Sequence, residues 1–267
     1  MVINGKFSML PEGWTAAADR LDGRVILVTG ASGGLGRATA LASARAGASV
    51  VLLGRKVRQL ETIYDEIKAV DGAAEPAMYP LDLAGATPAD YADLADRIEQ
   101  EYGRLDGLVH AAAHFDELQP AVDIEPEKWL RSLHVNVTAP YLLTQACVAL
   151  MRKAADSSVV FVLDDPQRMG KAYWGGYGVA KHALGGLVSI LHEEWENTVV
   201  RVHAVVPPPM RTALRRSAYY GENTMQLPLP QATAEAVVHL LAPTAVALRG
   251  RILDLRPDSV GASGTLA

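Results

Sequence analysis

Cysteine is almost missing from this chain: Cys147 is the only one in 267 residues. One thiol cannot close an internal disulfide, so stability must come from a buried core. Cys147 lies in an apolar helical pattern and reads as core filling rather than as a reactive thiol. Aromatic residues are also scarce, at 6%. Ala, Val, Leu and Gly dominate instead, which suits helices packed on a parallel sheet better than an all-β core. No uninterrupted apolar run approaches the roughly 18 residues of a membrane-spanning helix. The first 22 residues are broken by Lys6, Glu12, Asp19, Arg20 and Asp22. No signal-peptide core is expected there, and a cytoplasmic location is the expectation. A dominant charge sign is lacking too. The 25 Lys and Arg residues are interspersed with 30 Asp and Glu residues, for a net charge of −5. That balance argues against nucleic acid or an anionic membrane as the main partner.

What is present is an alternation of short apolar runs with amphipathic stretches of about 12 residues or more. The runs are 25–29, 49–53, 77–81, 107–111, 158–163, 199–206 and 250–255. Between them, helical patterning covers 35–46, 57–70, 88–102, one long stretch from Pro126 to about Met151, and another from Tyr173 to Glu196. Unbroken apolar runs fit strands covered on both faces, and their alternation with helices marks βαβ units. The expected fold is therefore α/β, a doubly wound parallel sheet of about seven strands flanked by helices on both faces. Residues 1–22 are expected as an N-terminal surface extension, 23–257 as one domain, and 258–267 as a loose tail.

The strongest local signal is Thr29-Gly30-Ala31-Ser32-Gly33-Gly34-Leu35-Gly36, between the first strand and the first helix. Gly30 suits a sharp turn, Gly34 a close approach of phosphate to backbone, and Gly36 tight packing. The helix start offers unpaired N–H groups and a positive dipole end, and Ser32 and Leu35 belong to the same cradle. After the second strand stands Gly54-Arg55-Lys56, with no acidic residue to bond a ribose 2′-hydroxyl and repel a 2′-phosphate. A guanidinium there can grip that phosphate bidentately, so NADP(H) is the expected cofactor.

The glycine spacing resembles the phosphate loop of the short-chain dehydrogenase/reductase family. Tyr177-Gly178-Val179-Ala180-Lys181 matches that family's YxxxK motif, and Asn136 its helix asparagine. The resemblance spans roughly residues 23–256 and implies a Rossmann fold and hydride exchange between a nicotinamide and a carbonyl carbon. It implies Tyr177 as acid–base, Lys181 as the group that tunes it and clamps the ribose, and Asn136 as a water holder. A phenol is a poor acid–base near neutral pH, and a lysine one turn away favours its ionised form. Asp82 would meet the adenine amino group beside Leu83, and Thr212 would close over the carboxamide and pyrophosphate. Gly-Arg at 54–55 accompanies NADP preference in the family, although Gly33 stands where NADP users often carry a second basic residue.

Three elements depart from the family pattern. Thirteen residues before Tyr177, where a catalytic serine is expected, stands Asp164 in Leu163-Asp164-Asp165. An ionised carboxylate accepts hydrogen bonds but donates none, and it opposes negative charge growing on a substrate oxygen. Asp164 would serve if it stayed protonated next to Asp165, or if the substrate were a cationic amine or imine. The family's NNAG reads His110-Ala111-Ala112-Ala113. The family's Pro-Gly reads Pro207-Pro208, where proline removes both an N–H and positive φ. His110 and His114 have a spacing that suggests metal only weakly, with no third ligand apparent.

Besides a purely structural fold that has lost the nucleotide, two functional readings follow. One is an NADP(H)-dependent oxidoreductase acting on a carbonyl, alcohol or imine, with Asp164 as a modified substrate contact. The other is a catalytically silent NADP(H)-binding protein, a sensor or assembly partner. In the resembled family the two long helices also pair with symmetry mates. A homodimer or homotetramer is therefore expected through 126–151 and 173–196. Residues 211–230 would form a substrate lid containing Tyr219, Tyr220, Met225 and Leu227. Trp174 and Tyr173 would line the pocket or a subunit contact.

Overall fold

The computed structural model describes residues 6–16 and 20–256. The chain runs β1 (Lys6–Ser8), β2 (Val25–Thr29), α1 (Gly34–Arg45), β3 (Ser49–Gly54), α2 (Val57–Lys68), β4 (Ala77–Pro80), α3 (Pro88–Tyr102), β5 (Gly107–His110), α4 (Pro126–Leu133), α5 (Ala139–Met151), β6 (Ser157–Val162), α6 (Pro166–Met169), α7 (Gly175–Trp195), β7 (Val200–Val206), α8 (Ala213–Ala218), α9 (Gln231–Leu241) and β8 (Arg251–Asp254). The strands form one parallel sheet in the order β1-β8-β7-β6-β5-β2-β3-β4. This is the doubly wound α/β architecture expected from the alternation.

Side chains alternate across the strands. Ile26, Val28, Val50 and Leu52 pack beneath α1, α2 and α9, whereas Val25, Leu27, Val51 and Leu53 face α3, α5 and α7. Both faces are covered, which is why the strands read as continuous apolar runs. Strand order reverses between β5 and β2, so the crevice beyond their carboxyl ends is the ligand-binding position of such a sheet. Cys147 is buried in the second layer, where burial pushes its thiol up to about 12. It is protonated core filling.

Three expectations need correction. The N-terminal segment is not merely a surface extension: Lys6–Ser8 adds an eighth strand beside β8, and Leu21 is wholly buried. A three-residue strand is too short to show a period of two, and its role of covering an exposed sheet edge is a tertiary one. The proposed tail, 258–267, lies outside the described residues.

The long helix from Pro126 is interrupted by a π-helical turn at His134–Thr138. Pro140 has no N–H for the carbonyl four residues back, and Asn136 Nδ2 donates to Ser132 O at 2.8 Å. Finally, the second long helix begins at Gly175, because Tyr173 has φ of +74°, the one positive value among the described non-glycine residues. Hydrophobic periodicity is blind to both events.

Candidate active site

The glycine loop closes on itself at the carboxyl end of β2. Gly30 has φ of +64°, and a Cβ there would lie 2.7 Å from Ala112 Cα. A Cβ on Gly36 would lie 2.2 Å from Gly30 O, so only glycine lets α1 begin this close to the turn. Ala31 N donates to Leu53 O at 3.1 Å, tying the loop to the end of β3. Gly33 caps α1 without a side-chain bond, and no acidic residue occupies the first turn. The N–H groups of Gly34, Leu35 and Gly36 therefore start the helix uncapped by any side chain, a cradle suited to phosphate.

The other candidate residues lie just beyond the carboxyl ends of β3, β4 and β7. Ser32 Oγ packs beside Gly54. Arg55 and Lys56 are exposed just beyond β3 and make no ion pair among the described residues. Thr212 sits over Gly34: a Cβ on that glycine would touch Thr212 Cγ2 at 2.9 Å. Thr212 also caps α8, accepting from Arg215 N at 3.1 Å. Pro207 and Pro208 follow β7 directly, on trans peptide bonds. Asp82 accepts from Ala84 N at 3.1 Å and so serves at least as a turn residue, with Leu83 buried beside it.

His110 ends β5. Its ring stacks on Phe161, with centroids 4.7 Å apart, and Nε2 lies 2.8 Å from Thr144 Oγ1. Burial lowers it to about 3, so it is a neutral imidazole joining β5, β6 and α5. Ala111 is half-buried next to it, and Ala113, which replaces a family glycine, needs no positive φ. His114 turns instead to Asp116. Among the described residues no three His, Cys, Asp or Glu side chains are arranged to hold a metal.

Tyr177, Lys181 and Asp164 meet at the carboxyl end of β6. Tyr177 Oη donates to Asp164 Oδ2 at 2.9 Å. Burial and the Asp164 charge together push the phenol well above its usual range. Lys181 Nζ donates to Val162 O at 2.8 Å and lies 5.6 Å from the Tyr177 ring centroid. Burial lowers the ammonium to about 8, against the opposing pull of Asp164. Asn136 is buried one layer away: its Nδ2 donates to His114 O and Ser132 O, and its Oδ1 accepts from His114 N, each at 2.8–2.9 Å. The carboxamide is thus committed to main-chain groups that hold the loop after β5.

Asp164 and Asp165 do not form a carboxylate pair. Asp165 caps α6 through Gln167 N and is ion-paired to Arg256 at 2.7 Å. Asp164 accepts from Asp165 N at 2.8 Å and from Tyr177. The Asp165 carboxylate is thus met by Arg256 and not by Asp164.

One participant, Phe115, escaped the sequence reading. The rings of Phe115 and Trp174 lie 5.5 and 5.8 Å from that of Tyr177, and Tyr219 packs behind Trp174 at 5.8 Å. Trp174 is buried here, whereas Tyr173 is exposed. Tyr219 lies under Arg215, while Tyr220 and Met225 are exposed. Phe115 carries no local signal, because its loop has no periodicity.

The family model of the short chain dehydrogenases matches residues 24–223. This chain belongs to that family. It is 36% identical over 239 residues to the uncharacterized oxidoreductase YciK of Escherichia coli K12, covering 90% of this chain and 94% of that one. Among solved structures, a short chain dehydrogenase from Pseudomonas syringae superposes with a TM-score of 0.87 at 39% identity, covering 92% of this chain and 99% of the other. One from Escherichia coli CFT073, complexed with NADPH, gives 0.84 at 36% identity, covering 88% and 98%.

Proposed function

We propose that this short chain dehydrogenase is an NADP(H)-dependent oxidoreductase that exchanges a hydride with a small molecule at a C–O or C–N centre. The observation that carries this reading is the buried Tyr177–Lys181 pair, one helical turn apart, beside the uncapped glycine cradle. The cradle fits a diphosphate: its N–H groups are free of side-chain caps, and it lacks acidic neighbours in the first turn. Arg55 and Lys56 are unpaired cations where a 2′-phosphate would lie, and the NADPH complex of the Escherichia coli relative supports that choice. Bound there, the nicotinamide supplies or accepts the hydride. Lys181 contacts the ribose, Tyr177 moves the proton, Asp82 meets the adenine and Thr212 closes over the phosphates.

Calorimetric titration tests the cofactor: micromolar NADPH binding with weaker NADH binding is expected. NADPH oxidation across aldehydes, ketones and imines, with loss of carbonyl turnover in Tyr177→Phe, tests the chemistry. A second reading, a silent NADP(H)-binding protein, is favoured by the Tyr177–Asp164 bond, which holds the phenol in its protonated form. Activity gained only in Asp164→Ser would decide for it.

Association of copies through α4, α5 and α7 belongs to the same reading. Leu130, Tyr141, Val179 and Ile190 stand exposed on these helices. Light scattering should give a dimer or tetramer mass.

A further inference from the structure

A carboxylate faces the acid–base group of this site, where growing negative charge on a substrate oxygen would need a hydrogen-bond donor. Both Asp164 oxygens are acceptors here: Oδ1 toward Asp165 N and Oδ2 toward the Tyr177 hydroxyl. Lys181, whose ammonium the Asp164 charge favours, donates to Val162 O at 2.8 Å, and the arginines of the region are engaged elsewhere. Arg256 pairs with Asp165 and Asp254. Arg215, which feels the Asp164 charge, is gripped by two bonds of 2.6 Å from Glu222. Arg168 bonds Tyr219 Oη at 2.8 Å.

A second observation concerns the solvent-open cleft beside Tyr177. Its walls combine the rings of Phe115, Trp129 and Trp174 with the carboxylates Asp116 and Glu117. Lys128, its one cation, is paired with Glu117 and Glu125. Aromatic faces and surplus carboxylate form the environment of an organic cation, not of a developing oxyanion.

We propose that the substrate carries a basic nitrogen at the reacting carbon: a protonated imine in the reductive direction, the corresponding amine in the oxidative one. This rests on the hydride-transfer reading above. Reducing a ketone takes a hydride to carbon and a proton to oxygen, and the proton must come from Tyr177. Reducing an iminium takes only the hydride. Two electrons and the hydrogen pass from the reduced nicotinamide to carbon, and the C=N π pair becomes the nitrogen lone pair. The amine is then protonated by water. No donor at position 164 is required. The carboxylate instead favours the protonated, electrophilic form of the imine at neutral pH.

The test pairs two bicyclic aryl compounds, dihydroisoquinoline as the imine and tetralone as the ketone, with NADPH. The wild type should show a kcat/KM about tenfold or more higher for the imine, and Asp164→Ser should shift the ratio toward the ketone. A wild-type preference for the ketone, or a ratio unchanged in Asp164→Ser, overturns the proposal. If neither compound turns over, binding decides. Tetrahydroisoquinolinium should quench the fluorescence of the wild-type chain, and the isosteric Asp164→Asn should weaken its binding about tenfold. No ammonium binding, or equal binding by the variant, overturns the proposal. Absence of NADPH binding in calorimetry instead defeats the cofactor reading, and the two failures are separately visible.

Discussion

Tyr177 and Asp164, 13 residues apart in sequence, share one hydrogen bond of 2.9 Å in which the phenol donates and the carboxylate accepts. The phenol therefore faces a negative charge on one side and, through its ring, the Lys181 ammonium on the other. Burial and Asp164 both hold its proton in place. Replacing Asp164 with Ser should move the Tyr177 titration to lower pH. The NMR shift of isotope-labelled Tyr Cζ would report it, and a Tyr177 titration unchanged by Asp164→Ser would contradict the assignment.

Arg55 should select between the two nicotinamide dinucleotides. Arg55→Ala should weaken NADPH binding about tenfold to a hundredfold, the worth of a charge-assisted bidentate contact. NADH binding should stay nearly unchanged. Calorimetry with both nucleotides separates a phosphate contact from general damage to the loop.

His110 should make the protein sensitive to acid. Its folded value, about 3, lies below the ordinary 6.5, so the unfolded chain binds a proton that the folded chain refuses between these pH values. Stability from this residue is complete above pH 6.5 and falls as pH drops toward 3. His110→Asn removes the effect. From about pH 7.5 to about pH 4.5 the variant should lose about 3 kcal/mol less stability than the wild type. Urea midpoints at the two pH values check this.

At the opposite end of the strands, Arg201 is wholly buried and bonds Asp156 twice, at 2.7 and 2.9 Å, while Arg24 reaches the same carboxylate. Burial alone would raise Asp156, but the two arginines win and lower it. Arg201→Met leaves that carboxylate short of a partner and should cost about 3–5 kcal/mol. NADPH affinity should persist in the folded fraction, because this network lies far from the glycine loop along β6 and β7.

The strands and the helices that cover them were legible because burial on both faces and on one face leaves different periods in the chain. The glycine loop was legible because close backbone approach leaves no alternative residue at Gly36. The π turn at His134–Thr138, the positive φ of Tyr173 and the edge strand Lys6–Ser8 were not. Each depends on one or a few residues answering a distant partner, and none leaves a repeat.

Local chemistry in the chain thus determined the doubly wound sheet, the phosphate cradle and the helical spacing of Tyr177 and Lys181. Only the tertiary structure decided what Asp164 does. The chain places two acidic residues side by side, and nothing local says which is neutralised. Arg256, from the far end of the chain, takes Asp165 and leaves Asp164 to Tyr177. The cause is that charge pairing depends on distance in space, and a contact between residues far apart in sequence has no period, motif or spacing to announce it.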